Sequence, residues 1–311
     1  MRNTFAAAIT ELATKDPRVV LLSGDIGNRL FDQFKENSPT RFLNCGVAEA
    51  NMTGVAAGMA LCGQRPFIYT ITPFATTRAL EQIRVDICYH NVPVTIVGTG
   101  SGLSYASLGP THHSCEDISM MRCLPNMTVL CPADSAEVRA ALPAVLKQNG
   151  PVYIRLGKKG EPAVHPADPP FVIGQSLSVR DGTDFCLLAV GNVVHLALEA
   201  AKLMERSGIS AQVVSMHSLK PFDQARVAQA FDNSRVVATI EEHSRIGGLG
   251  STVADWLAEH RRSAEKFLAF ATPDEFFHAA GGQQYVRQQL GLTADAIARR
   301  CLDLGEALAR G

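Results

Sequence analysis

The stretch from residue 41 to residue 71, RFLNCGVAEANMTGVAAGMALCGQRPFIYTI, holds a short strand pattern, a helix pattern and a second strand pattern in direct succession. Its last part, RPFIYTI (65–71), has the length of a strand but lacks the polar alternation of a half-exposed one. A strand of this kind is buried on both faces, which is typical of a parallel sheet covered by helices on both sides.

The same alternation of apolar runs and helical patterns continues along the chain. In the first half, further strands are predicted at residues 18–24, 92–98, 126–130 and 151–156, and helices at 3–14, 47–62, 75–90, 115–123 and 134–148. In the second half, strands are predicted at 185–190, 211–216, 235–240 and 266–271, and helices at 192–207, 222–232 and 249–261.

This order predicts an α/β fold with two doubly wound domains. Four prolines and no periodicity interrupt it between residues 157 and 170 (GKKGEPAVHPADPP), as is typical of a linker. We therefore expect a first domain over residues 1–160, a linker over 161–180 and a second, smaller α/β domain over 181–311.

Composition excludes several classes of function. The 311 residues suit two domains, and a formal net charge of −1 gives no electrostatic case for binding nucleic acid or an acidic membrane surface. The eight cysteines form no C-x-x-C pair, so we expect a reduced, cytoplasmic protein without a metal site of its own. The apolar segment 45–62 contains Glu49 and Asn51, which favours a buried helix over a membrane span.

Glu49 is the only charged side chain between Cys45 and Cys62. A carboxylate in apolar surroundings is costly unless another group pairs with it. Two interpretations stay open on pattern alone. Glu49 is either an acidic residue that interacts favourably with the N-terminal end of its helix, or a buried group that a functional site requires.

Polar loops follow three predicted strands of the first domain: LLSGDIGNRL (21–30) with Asp25, LGPTHHS (108–114) with His112 and His113, and RLGKKG (155–160) with Lys158. Each loop alone is also compatible with an ordinary turn or solvated segment. Ligands of open α/β sheets bind beyond the carboxyl ends of the strands. The convergence of the three loops with Glu49 at this edge therefore predicts a site there.

Four segments carry a resemblance to a known family: NCGVAEANMTGVAAGMAL, FATTRALEQIR, GPTHHSCEDISMMRCLPNMTVLCPAD and EEHSRIGGLGS. In this order and spacing they resemble the C-terminal half of transketolase, present here as a separate polypeptide, over essentially the whole chain. The first domain resembles the pyrimidine-binding domain of thiamine-diphosphate enzymes, and the second resembles their C-terminal domain.

The resemblance implies roles for individual residues. Glu49 matches the glutamate that hydrogen-bonds the N1′ nitrogen of the cofactor's aminopyrimidine. His112 matches the histidine of the G-P-T-H loop, which faces the thiazolium and assists proton transfer at the substrate. The further implied contacts are Phe74, Ile71 and Asp25 for the cofactor, and His113, Lys158 and Arg2 for the substrate.

The metal and diphosphate signature of these enzymes, Gly-Asp-Gly followed by a later Asn, is absent, and SGDIGN (23–28) does not supply it. In the family this signature belongs to the other half of the enzyme. The resemblance therefore implies thiamine diphosphate whose Mg²⁺ is held by a partner subunit carrying the diphosphate-binding domain. We expect a heterotetramer with two copies of each subunit.

A second departure lies just before the G-P-T-H loop, where transketolases usually carry Glu-Asp and this chain has Ser107 and Leu108. In the family that Asp helps to select the hydroxyl configuration of the sugar. The loop also looks slightly longer here. This departure argues against the standard sugar phosphates and leaves a modified ketose, a branched sugar or another unusual acceptor open.

The sequence thus predicts one subunit of a split, transketolase-like transferase, which moves a two-carbon ketol unit from a ketose to an aldehyde. Two alternatives stay open. One keeps the cofactor but uses a 2-oxo acid, as in the beta subunit of a decarboxylating enzyme or in a pyruvate-using deoxyxylulose-phosphate synthase. The other is a non-catalytic subunit that only stabilises a partner.

Overall fold

The computed structural model describes residues 1–27, 29–278 and 281–310. Its strands are β1 Val19–Ser23, β2 Phe42–Asn44, β3 Arg65–Ile71, β4 Thr95–Thr99, β5 Thr128–Leu130, β6 Val152–Leu156, β7 Leu177–Arg180, β8 Phe185–Ala189, β9 Ala211–Ser215, β10 Ser218–Lys220, β11 Val236–Ser244 and β12 Phe267–Thr272. Its α-helices are α1 Arg2–Lys15, α2 Asp32–Asn37, α3 Glu49–Leu61, α4 Thr72–Ala75, α5 Leu80–Gln82, α6 Asp117–Cys123, α7 Ser135–Leu146, α8 Val194–Glu205, α9 Gln224–Asn233, α10 Leu249–Glu259, α11 Gln283–Gln289 and α12 Ala294–Arg310.

The strands form two sheets. One has seven strands in the order β10-β5-β6-β4-β3-β1-β2, and the other has five in the order β12-β11-β8-β9-β7. All pairs are parallel except two edge pairs, β10 with β5 and β7 with β9. The strands β1, β4, β6 and β8 are buried along their whole length. The predicted α/β fold with two doubly wound sheets is therefore confirmed.

One apolar cluster joins the two sheets. One cluster of buried side chains runs from Leu22 and Ile96 of the first sheet to Leu188 and Val237 of the second. β10 strengthens this connection, because it follows β9 of the second sheet in sequence but pairs with the edge of the first. The loops of the first sheet are consequently packed against elements of the second.

Two segments differ from the sequence-based expectation. β7 lies at residues 177–180, within the segment 161–180 expected to be a linker. The helix expected over 75–90 is broken into α4, a 3₁₀ turn at Thr77–Ala79, α5 and a π-helical segment Ile83–Tyr89. The break comes at Thr76, which has φ −113° and ψ −76°. It separates α4, with Phe74, from the turn that contains Arg78.

The apolar segment 45–62 contains α3, which has 13 residues. Among the described residues, no helix combines the length and the apolar character needed to cross a bilayer. α3 lies between the first sheet and the π-helical segment, and it buries Met52, Ala56 and Ala60.

Candidate active site

Glu49 is the first residue of α3, directly after the loop that leaves β2. Its side chain is only 2% exposed. The carboxylate therefore has a feature of each interpretation of the sequence, because it lies at a helix start and is also buried. Its Oε2 accepts a hydrogen bond of 2.9 Å from Nη1 of Arg78. This ion pair supplies the counter-charge that a buried carboxylate needs.

Arg78 also stacks on an aromatic ring. Its guanidinium carbon lies 4.0 Å from the ring centroid of Phe74, which is a close cation–π contact. The guanidinium is thus a planar cation that rests on an aromatic face and donates a hydrogen bond to Glu49. Sequence reasoning missed Arg78. The signal for it was an arginine four residues after Phe74, on the segment facing the lone carboxylate.

The row of contacts continues from Phe74 into the loop after β4. The ring of His112 lies edge-on to Phe74 at 5.4 Å between centroids, and edge-on to Tyr105 at 6.1 Å. His112 Nδ1 shares a hydrogen bond of 2.9 Å with the hydroxyl of Thr111, which leaves Nε2 for another partner. Glu49, Arg78, Phe74 and His112 therefore form one continuous row of contacts.

The two adjacent histidines have different surroundings. His113 donates from Nε2 to the carbonyl oxygen of Ala106 at 3.1 Å, within the same loop. Its imidazole therefore stabilises the loop, while the ring of His112 packs against Phe74. The sequence alone could not separate the two.

Two cations flank Tyr105 at the far end of this row. Nζ of Lys158 lies 4.4 Å from the centroid of the Tyr105 ring. Burial raises the pKa of Tyr105, and the nearby charge of Arg2 opposes that rise. Nε of Arg2 is buried and has no hydrogen-bond partner among the described residues. Arg2 and Lys158 thus offer positive charge at one place, as an anionic substrate group requires.

Asp25 and Ile71 lie at the rim. Asp25 follows β1 with a left-handed φ of +57°, and its Oδ1 accepts a hydrogen bond of 2.9 Å from Nδ2 of Asn44 at the end of β2. Ile71 is the last residue of β3 and precedes α4 directly. Both residues are at the carboxyl edge of the first sheet, but the contacts described above place neither in the row from Glu49 to Lys158.

Gly24 and Thr70 border a small space beside the Glu49 carboxylate. A Cβ atom added to Gly24 would lie 3.0 Å from Oγ1 of Thr70 and 3.5 Å from Oε1 of Glu49, so only glycine leaves this space open. The Thr70 hydroxyl is buried and has no hydrogen-bond partner among the described residues. A buried carboxylate, an aromatic face and an unpaired hydroxyl fit a flat heterocycle with ring nitrogens and an amino group.

The described residues contain no group of three or more His, Cys, Asp or Glu side chains placed to hold a metal ion. The eight cysteines are free thiols, and burial raises the pKa of several of them, including that of Cys88 to about 11.

Comparison with known proteins agrees with this arrangement. Residues 1–161 match the family model for the transketolase pyrimidine-binding domain, and residues 174–297 match the model for the transketolase C-terminal domain. These two matches, together with the two sheets, define the class as a thiamine-diphosphate-dependent transferase. The chain belongs to the transketolase family and corresponds to one subunit of a split transketolase.

Two relatives and one solved structure cover nearly the whole chain. The 6-deoxy-6-sulfo-D-fructose transketolase subunit of Clostridium sp. (strain MSTE9) is 37% identical over 98% of this chain and 94% of its own length. An apulose-4-phosphate transketolase subunit of Phocaeicola vulgatus is 33% identical over 97% of this chain and 96% of its own. A split-gene transketolase, solved as an inactive beta4 tetramer, superposes with a TM-score of 0.88 at 37% identity over 98% of this chain and 97% of its own.

Proposed function

We propose that Glu49 and His112 are the catalytic residues that this chain contributes to a thiamine-diphosphate site shared with a partner subunit. The observation that carries the proposal is the continuous row from the buried Glu49 carboxylate through Phe74 to His112. When bound, the cofactor supplies a carbon nucleophile and an electron sink for making and breaking the bond beside the ketose carbonyl.

In this proposal Glu49 holds a proton at N1′ of the aminopyrimidine, and Phe74 packs against that ring. Ile71 and Asp25 border the same space from the rim. The imidazole of His112 moves a proton at the oxygens of the substrate through Nε2, with Nδ1 fixed by Thr111. His113 orients the loop that carries His112, through its bond to Ala106.

The substrate is proposed to be a ketose with an anionic end, phosphorylated or otherwise modified, held by Lys158 and Arg2. The charge around Tyr105 supports this. The names of the two relatives, which refer to 6-deoxy-6-sulfo-D-fructose and to apulose-4-phosphate, support the same class. Ser107 and Leu108 are exposed beside the site, and neither carries a carboxylate. In this proposal, other groups therefore select the hydroxyl configuration of the sugar.

The partner is proposed to be an N-terminal transketolase subunit that holds the diphosphate and Mg²⁺, in a heterotetramer. The exposed face of α3 supports a protein partner at this edge. At helical spacing it presents Asn51, Val55 and Gly58, with Ala48 and Cys62 exposed at the two caps, and none of these residues is charged. The free cysteines are consistent with a cytoplasmic location.

The test is a turnover assay of this chain with and without the partner subunit, in the presence of thiamine diphosphate and Mg²⁺. Donors would include ketose phosphates, a sulfonated ketose, uncharged ketoses and pyruvate. Ketol transfer only in the mixture, with an anionic ketose, is the expected result. Release of CO₂ from pyruvate would instead favour a 2-oxo acid enzyme, and activity of the chain alone would contradict the shared site.

Replacing Lys158 with alanine is expected to raise the KM of the anionic donor at least about tenfold and to leave kcat within about twofold, because a charged hydrogen bond contributes ~1.5–3 kcal/mol. Steady-state kinetics of the assembled enzyme measure this. Lys159→Ala is the matched control, since its side chain is an exposed neighbour. An equal rise in KM for an uncharged ketose would contradict a role in holding the anion.

Replacing Arg78 with alanine is expected to tighten the binding of thiamine diphosphate to the assembled enzyme by roughly fivefold, or ~1 kcal/mol. The guanidinium is 43% exposed and forms an ion pair with Glu49 that the aminopyrimidine has to displace. Calorimetric titration of the cofactor gives the dissociation constant. Arg84→Ala, which removes an exposed arginine paired with Glu81, is the control. Weaker cofactor binding in the Arg78 variant would show that Arg78 is itself a cofactor contact.

A further inference from the structure

The loop that carries His112 is closed at its base. Gly102 and Ser114 form an isolated antiparallel bridge, with N–H···O distances of 2.9 Å in both directions. The residues between them, 103–113, contain Tyr105, His112 and His113 and are called the histidine loop below. The position of the histidine loop therefore depends on the contacts that fix its two ends at the bridge.

The second sheet directly fixes the first end of the loop, at Leu103. Glu242, on β11, accepts a hydrogen bond of 2.8 Å at Oε1 from the backbone N–H of Leu103. Its side chain is fully buried, and the guanidinium of Arg287 on α11 donates to its Oε2. Gln283, one turn earlier on α11, donates to both oxygens at 2.9 and 3.1 Å. A buried carboxylate with this many donors has a fixed position.

The second end of the loop, at Ser114, is fixed by Arg155, which also binds the backbone of Glu242. Arg155, at the end of β6, donates from Nη2 to the carbonyl oxygens of Ser114 at 3.1 Å and of Glu242 at 2.9 Å. Ser244 N–H adds a bond of 2.7 Å to the carbonyl of Cys115. Glu242 thus binds the first end of the histidine loop with its side chain, and its carbonyl shares the Arg155 guanidinium with Ser114 at the second end.

Two further observations fit this arrangement. Gly102 has φ +59°, and a Cβ there would lie 2.5 Å from Oε1 of Glu242, so the carboxylate approaches the loop closely because this residue is glycine. Leu103 and Ala106 pack with Val286 of α11 in a small apolar cluster. The loop therefore rests on the second domain both through polar contacts and through apolar packing.

We propose that Glu242 is a positioning residue, which with Arg287 anchors the histidine loop to the second domain and so sets the place of the His112 imidazole. The effect on turnover rests on the proposed role of His112, whereas the anchor itself does not. In this way the second domain acts on the reaction without touching the substrate.

The test compares Glu242→Gln with Glu241→Gln. Glu241 is the adjacent residue on β11 and equally buried, but it accepts from the N–H groups of Leu249 and Gly250 at the start of α10. Hydrogen exchange of the chain, alone and with its partner subunit, reports the protection of peptides covering residues 101–114. Steady-state kinetics of the complex report kcat and KM.

In Glu242→Gln we expect amide exchange in 101–114 to rise at least about tenfold and kcat to fall about tenfold, with partner binding unchanged. Glu241→Gln should leave loop exchange unchanged and kcat within about twofold. If Glu242→Gln does not fold, Gln283→Ala serves instead, since it removes two of the hydrogen bonds that fix the carboxylate, leaves the loop sequence unchanged and should raise exchange in the same peptides. Unchanged loop protection would overturn the anchor. A loosened loop with full kcat would overturn its role in positioning His112. If the wild-type complex shows no ketol transfer, the proposed function fails, while the exchange data still decide whether the anchor exists.

Discussion

Replacing Glu49 with glutamine is expected to lower kcat of the assembled enzyme by at least about a hundredfold, the usual contribution of a positioned acid–base group. Glutamine has the same shape and fits the same space, but its amide cannot hold or release the proton that the aminopyrimidine needs. The carboxylate is 2% exposed, so water has little access to replace it. Steady-state kinetics at saturating cofactor measure the effect.

Glu81→Gln is the matched control, because Glu81 is an exposed carboxylate of the first domain that also pairs with an arginine, Arg84. Complex formation should be measured for both variants, since a loss of assembly would also lower turnover. Unchanged kcat in a correctly assembled Glu49→Gln enzyme would contradict the catalytic role. It would support the alternative in which this chain only stabilises its partner.

The sequence contained enough information for the fold class and for the buried strands. Strands such as β4 and β6 are buried along their length, so their apolar runs are long and distinct. β7 and β10 have four and three residues and pair at edges, which leaves no periodicity to detect. Their pairing depends on which other strand is near, and that is a property of the folded chain.

The candidate site could be predicted only in part, for a similar reason. Glu49 and His112 were visible as an isolated charge and as a polar loop after a strand. The partner of Glu49 was not visible, because the ion pair to Arg78 spans 29 positions and depends on the break at Thr76. The link from Glu242 to Leu103 spans 139 positions and joins two domains. Contacts of this range follow from how the sheets pack, which local patterns do not encode.

The largest loss of stability upon mutation is expected at the buried ion pair of Asp117 and Arg155, next to the base of the histidine loop. Asp117 Oδ2 accepts from Nε of Arg155 at 2.7 Å and from the hydroxyl of Tyr153 at 2.6 Å, and all three side chains are almost fully buried. Burial alone would raise the pKa of Asp117, but the attraction of Arg155 and the hydrogen bonds outweigh it, so the pKa lies below its usual value. The pair is therefore ionised in the native protein.

Asp117→Asn is expected to lower the free energy of unfolding by about 3–5 kcal/mol, because it leaves the Arg155 guanidinium buried without a counter-charge. Denaturant unfolding monitored by circular dichroism measures the change. Asp168→Asn is the control, since Asp168 pairs with Arg139 at the surface and its loss should shift the midpoint far less.

Because the folded pKa of Asp117 is lowered, its contribution is present above the unfolded pKa of about 3.9 and is lost as the pH falls below that value. The difference between wild type and Asp117→Asn should therefore be constant near neutral pH and shrink in acid. A difference that stays the same in acid would mean that the asparagine destabilises through packing, and not through the loss of the charge facing Arg155.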